Sequence, residues 1–191
     1  MSPNERAVQW ALWRARWFIW WGREARALAV VEAALAAHPD QPTLLAFQAH
    51  LLAQLGRPRE ALAVLDRLVQ VAPQQAAHWY NRAFLQEQLG LPETAEASFR
   101  QALQLDERLD QAWYGLGLVL IRQGRLDEAL AALRRNTELQ PMSPYAWYQM
   151  ARIHVDRAEP EEAAKIIRHL RGFEPGVAAR LERETGLGTA S

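Results

Sequence analysis

Residues 110–143 read DQAWYGLGLVLIRQGRLDEALAALRRNTELQPMS, and the architecture follows from this stretch. Gly124 stands between two apolar-rich runs, where a left-handed residue ends a helix at little cost. Asp127 and Glu128 open the second run, where acids favour the helix dipole. Pro141 ends it, because the residue before a proline is pushed out of the helical region. The stretch reads as helix, short turn, helix, stop.

The same signals recur outward at a spacing of 34 residues. Gly22, Gly56, Gly90 and Gly124 form one column, which continues at Ala158. Ala27, Ala61, Ala95, Ala129 and Ala163 form a second, and Ala15, Ala49, Ala83, Gly117 and Ala151 a third. Trp79-Tyr80, Trp113-Tyr114 and Trp147-Tyr148 form a fourth. Pro39, Pro73, Pro141 and Pro175 form a fifth, with Glu107 in the vacant slot. The two small-residue columns let paired helices approach closely. Pro58, Pro92 and Pro160, with acids beside them, mark second-helix starts. Between these signals apolar residues keep helical spacing, as in Ala61, Leu62, Val64, Leu65, Leu68 and Val69.

Trp113, Leu116, Gly117, Leu120, Ala129, Leu133 and Pro141 fit the pattern W, L, G, then A, F-like and P over 34 residues, which resembles the tetratricopeptide repeat family. The resemblance covers almost the whole chain. It implies an all-α, right-handed α-α superhelix of helix-turn-helix repeats, in one domain over residues 1–191. The repeats would run 8–41, 42–75, 76–109, 110–143 and 144–177, with a short capping helix over 178–186 whose Arg180, Glu182, Arg183 and Glu184 keep its outer face wet. Arg14 and Arg82 stand where the family has Leu, and Gln86 and His154 where it has Leu or an aromatic. The reading for the two arginines is a packed stem with the head in water.

In such proteins the first helix of each repeat lines a concave, ligand-facing surface. Carried over by position, that surface comprises Tyr80, Phe84, Tyr114, Leu118, Tyr145 and Tyr148, with Arg122 and Arg152 beside them. Neither the Lys/Asn/Lys/Arg clamp for a C-terminal carboxylate nor an asparagine ladder is present, since Asn81 is alone in its column. An aromatic groove of this kind suits an apolar or amphipathic peptide, and Tyr and Arg are enriched at binding hot spots. The competing reading is that some of these tyrosines only pack between neighbouring helices.

Trp10, Trp13, Trp17, Trp20 and Trp21 crowd the first helix, in a stripe roughly 100° wide at 100° per residue. Their equivalents, Leu44, Leu51 and Leu55 in the second repeat and His78, Leu85 and Leu89 in the third, should bury against the preceding repeat. The first repeat has no predecessor, and a large apolar patch marks an interaction site. Three readings stand: docking onto another protein or a second copy of this chain, contact with a membrane interface supported by Arg6, Arg14, Arg16, Arg23 and Arg26, or partial burial with residues 1–7 folded over the stripe.

The rest of the composition narrows the function. The 22 basic and 22 acidic residues balance, which argues against a broad nucleic-acid surface. No cysteine is present, so thiol catalysis, disulfides and cysteine metal sites are excluded. No apolar run reaches the length of a membrane span, and the N-terminus lacks the pattern of a signal peptide; a cytoplasmic protein is expected. His38, His50, His78, His154 and His169 form no i, i+4 pair, and no phosphate-loop, dinucleotide or nucleophile-elbow motif occurs. The expectation is a non-catalytic scaffold or adaptor without metal or cofactor, binding another protein or peptide in the groove and a second contact or a copy of itself at the tryptophans. Alternatives are a membrane-associated assembly factor and an accessory subunit of an enzyme.

Overall fold

Each glycine of the first column ends a helix in the left-handed region, with φ of 63° at Gly22, 71° at Gly56, 73° at Gly90 and 74° at Gly124. The bonding around Gly56 is typical of the column: Gly56 N–H donates to the Ala53 carbonyl and Arg57 N–H to the Leu52 carbonyl, at 3.1 and 2.9 Å. These two bonds satisfy the last carbonyls of the helix. Ala158 makes the same pair of bonds at a φ of 57°, although its Cβ disfavours that conformation.

In the computed structural model, which describes residues 3–187, every regular element among the described residues is helical. The helices are α1 (Pro3–Trp20), α2 (Glu24–Ala37), α3 (Pro42–Gln54), α4 (Pro58–Val71), α5 (Ala76–Gln88), α6 (Pro92–Leu105), α7 (Asp110–Arg122), α8 (Leu126–Leu139), α9 (Pro144–Asp156), α10 (Pro160–Arg171) and α11 (Pro175–Thr185). They sort into two compact units, α1–α6 and α7–α11. Proline begins α3, α4, α9, α10 and α11, where its missing N–H costs nothing.

Within each unit the small columns lie at the helix crossings. Ala27, Ala61, Ala95, Ala129 and Ala163 are wholly buried, as are Ala15, Ala83 and Ala151. Gly117 is tighter still: a Cβ there would stand 2.8 Å from Leu133 Cγ and Cδ2, so the Leu133 side chain sits against α7 where an alanine would force it to shift.

The tryptophan ladder fastens the turns. Trp79 Nε1–H donates to the Pro73 carbonyl at 2.7 Å, Trp113 to the Glu107 carbonyl at 2.8 Å and Trp147 to the Pro141 carbonyl at 2.9 Å. The acceptor is a backbone oxygen six residues upstream, so Glu107 serves as well as proline does.

Three of the family-atypical polar residues, Arg82, Gln86 and His154, pair with other side chains. Arg82 Nε donates to Asp66 at 2.7 Å and its Nη1 to Ser98 Oγ at 2.8 Å. Ser98 Oγ–H donates in turn to Gln86 Oε1 at 2.8 Å, and both residues are buried. His154, also buried, pairs through Nδ1 with Glu159 Oε2 at 2.6 Å. Arg14 lies on the Trp10 ring, 4.5 Å from its centroid. No buried side-chain nitrogen or oxygen among the described residues lacks a partner, as burial of polar groups requires.

Candidate functional site

Two surfaces carry the residues singled out from the sequence. The first is the outer face of α1. Val8, Ala11, Leu12 and Ala15 turn into the core, and four of them being three or four residues apart directs the remaining face outward. Trp10, Trp13, Trp17, Trp20 and Trp21 lie on that outer face and are 46–80 % exposed. Trp17 meets Phe18 edge-on at 5.3 Å between centroids, and Trp20 and Trp21 meet likewise at 5.3 Å. Residues 3–7, expected in one reading to fold back over the stripe, instead form the first turns of α1. Met1 and Ser2 of that segment lie outside the described residues. Between α1 and α2 runs a groove of about 430 Å³, with Trp10, Ala11, Ala29, Val30, Ala33 and Ala37 along it.

The second set of residues lies on the first helices of the repeats, in each unit separately. In the first unit Tyr80 and Phe84 stack on one face of α5 at 6.3 Å. Phe84 is exposed, whereas Tyr80 is half-buried and leans on the core residue Phe99 at 6.1 Å. Tyr80 therefore owes part of its position to packing. Phe84 borders a cavity of about 230 Å³ together with His50, Asn81 and Gln88.

In the second unit α7, α9 and α11 enclose a cavity of about 240 Å³, lined by Tyr114, Tyr145, Tyr148, Gln149, Val177 and Arg180. Tyr114 is half-buried, and that burial pushes its phenol above the ordinary value, while a hydrogen bond with Gln149 opposes the shift. The Tyr114 and Tyr145 rings lie 6.4 Å apart. Tyr145 is 67 % exposed, so a large aromatic surface faces solvent at the mouth. Leu118 is half-buried on the same helix as Tyr114, and Arg122 is exposed at its end.

One carboxylate organises the polar side of this cavity. Tyr148 O–H donates to Glu184 Oε2 at 2.6 Å, Arg180 Nε donates to Glu184 Oε1 at 2.7 Å, and Arg152 Nη1 lies 3.6 Å from Glu184 Oε2. Arg152 also donates to the Tyr148 hydroxyl at 3.3 Å, and the Arg180 guanidinium sits 5.4 Å from the Tyr148 ring centroid. The Tyr148 hydrogen bond, followed by that of Arg180, holds the Glu184 carboxyl below its ordinary value. The Tyr148 hydroxyl is the leading influence that raises Arg152, and Glu184 is the one that raises Arg180.

Arg180 and Glu184 are exposed, as expected of a wet face, and in addition they meet Tyr148. Sequence reasoning missed Val177, Arg180 and Glu184 because it treated the last helix as a cap. Their spacing of three and four residues marks a single helix face, and that was the available signal. Among the described residues no cluster of metal-ligating side chains occurs, and no helix is long and apolar enough to cross a membrane.

Family models described as tetratricopeptide repeat match residues 22–83, 58–113, 87–144 and 114–177. No curated protein sequence matches the chain. Among solved structures, a tetratricopeptide repeat protein from Parabacteroides merdae is similar with a TM-score of 0.83 at 20% identity, covering 95% of this chain and 75% of that one. MamA from Desulfovibrio magneticus is similar with a TM-score of 0.79 at 17% identity, over 93% and 96% of the two chains. YrrB, described as a TPR protein with an unusual peptide-binding site, is similar with a TM-score of 0.79 at 19% identity, over 95% and 98%. At these identities the likeness is one of fold.

Proposed function

The chain belongs to the tetratricopeptide repeat family, whose fold supports protein–protein interaction, and from that premise we propose that it is a non-catalytic adaptor holding a peptide segment of a partner in the cavity between α7, α9 and α11. The observation that carries this reading is the cavity itself: Tyr145 stands exposed at its mouth, Tyr114 forms its apolar wall, and Gln149 and Arg180 offer polar contacts. A pocket with an apolar body and a few convergent polar groups is the form that side-chain recognition takes. Tyrosine supplies large contact area with little rotamer entropy to lose. The description of YrrB as having a peptide-binding site supports the same use of the fold.

The charges limit the ligand. Glu184 already answers Arg152 and Arg180, so the entering side chain is apolar or aromatic, seated between Tyr114 and Tyr145. The test is random-peptide display on the full chain, followed by anisotropy titrations of the selected peptides. Tyr145→Ala, which removes an exposed ring, should weaken binding by roughly 10-fold or more at an unchanged melting temperature. Tyr114→Ala combined with Tyr145→Ala should abolish it. Selected peptides that bind Tyr145→Ala as tightly as wild type, or a display that selects none, would remove the cavity from the account.

A further inference from the structure

The outer face of α1 has counterparts inside the molecule, and they show what shape fits it. Trp10 and Trp17 align, one repeat on, with Leu44 and Leu51 of α3. Both leucines are wholly buried, and α3 packs on α2. Leu85 of α5 is buried in the same column, with α5 on α4. In the second unit Ala146 and Ile153 of α9 are buried, with α9 on α8. At each of these positions the neighbour is a single α-helix of 14 residues. On α1 the same face is open.

Its charge is one-sided. On a 100° wheel Arg6 falls inside the stripe, between Trp13 and Trp17, while Arg14 and Arg16 border it on either side. Residues 3–26 hold five arginines against two glutamates, in a chain that is neutral as a whole. Two copies of this face brought together about a two-fold axis would set these arginines against each other. A groove floored by small α2 residues runs beside the stripe at Trp10. Ridges pack into such grooves helix on helix.

We propose that the tryptophan face of α1 binds an amphipathic α-helix of a partner protein, apolar along one seam and acidic along its flanks, in the place that a preceding second helix occupies in later repeats. The stripe from Trp10 to Trp21 is roughly 16 Å long, about three turns, which a helix of ordinary length covers. The tryptophans meet the apolar seam, and Arg6, Arg14 and Arg16 meet the acidic flanks. This surface is separate from the tyrosine cavity and stands or falls independently of it.

The test uses the full chain and two fluorescein-labelled synthetic helices with the same leucine–alanine seam, one flanked by glutamates and its twin by lysines. The glutamate helix should bind at least about tenfold more tightly, weaken with added salt and shift tryptophan emission to the blue. Trp13→Ala/Trp20→Ala, which alters the two most exposed rings, should lose that binding at an unchanged melting temperature. Arg6→Glu/Arg16→Glu should reverse the preference toward the lysine helix. Tyr145→Ala should bind as wild type does; a loss there would assign the helix to the cavity and overturn the proposal. Equal binding of both helices, binding of neither, or undiminished binding by the tryptophan variant would also overturn it. So would tryptophan-dependent flotation with phosphatidylglycerol vesicles, which assigns the face to lipid, or tryptophan-dependent dimerisation in light scattering, which assigns it to a second copy.

Discussion

Helices α1 and α3 occupy the same register of successive repeats, yet they end in opposite environments. The column that holds Leu44 and Leu51 in α3 is sealed from solvent, while Trp10 and Trp17 of α1 remain 59 % and 46 % exposed. Tryptophan is the larger apolar side chain, so hydrophobicity alone would order the two helices the other way. The preceding helix makes the difference: α2 covers α3, and no described helix covers that face of α1. Burial in a repeat is a property of the neighbour as much as of the residue.

The sharpest way to break this comparison is to truncate one residue in each helix. Leu51→Ala leaves a cavity in a closed core and should cost about 2–5 kcal/mol. Trp17→Ala removes a larger side chain that is half in solvent and should cost clearly less, about 1 kcal/mol. Urea unfolding of both variants measures the contrast, and comparable losses would mean that the α1 face is packed after all.

A second pair of repeats tests whether polar and apolar solutions to one register are equivalent. Arg82, Gln86 and Ser98 align with Leu116, Leu120 and Ala132 one repeat on. Ser98→Ala alone leaves Gln86 Oε1 buried without its donor and should cost about 1–3 kcal/mol. The triple change Arg82→Leu/Gln86→Leu/Ser98→Ala, which copies the later repeat, should recover that loss in the same denaturation assay. Failure to recover would show that the network specifies the packing of α5 and α6.

The turns offer a smaller contrast. Gly124 and Ala158 share one conformation, but only Ala158 carries a Cβ there. Ala158→Gly should raise stability by about 1 kcal/mol, and Gly124→Ala should lower it by about as much. Opposite shifts in melting temperature would confirm the shared left-handed conformation.

The smallest effect belongs to the other terminal helix. Glu184 has a folded pKa below its ordinary value. Its contribution is therefore present above the ordinary carboxylate range and is lost as pH falls through the depressed folded value. Melting temperatures of wild type and Glu184→Gln should differ at neutral pH and converge in acid. A constant difference at every pH would remove the Glu184 cluster as the cause.

Much of this was legible from spacing. A glycine every 34 residues requires a left-handed turn, and alanine columns require close helix crossings, so the family, the helix order and the buried columns follow from local rules. The outward side of α1 was legible as well, because its tryptophans lie away from the residues that pack on α2. The cavity was only half legible. Tyr114, Tyr145 and Tyr148 could be carried over by position, but Arg180 and Glu184 could not, since they meet Tyr148 across a gap of some thirty residues or more.

The amino-acid sequence by itself determined the repeat, its turns and which face of each helix is apolar, because these depend on residues a few positions apart. Only the tertiary structure decided which charges find each other. That Arg82 pairs with Asp66, and that Glu184 pairs with two arginines and a tyrosine hydroxyl, depends on how packed helices aim long side chains across ångström distances that sequence separation does not encode.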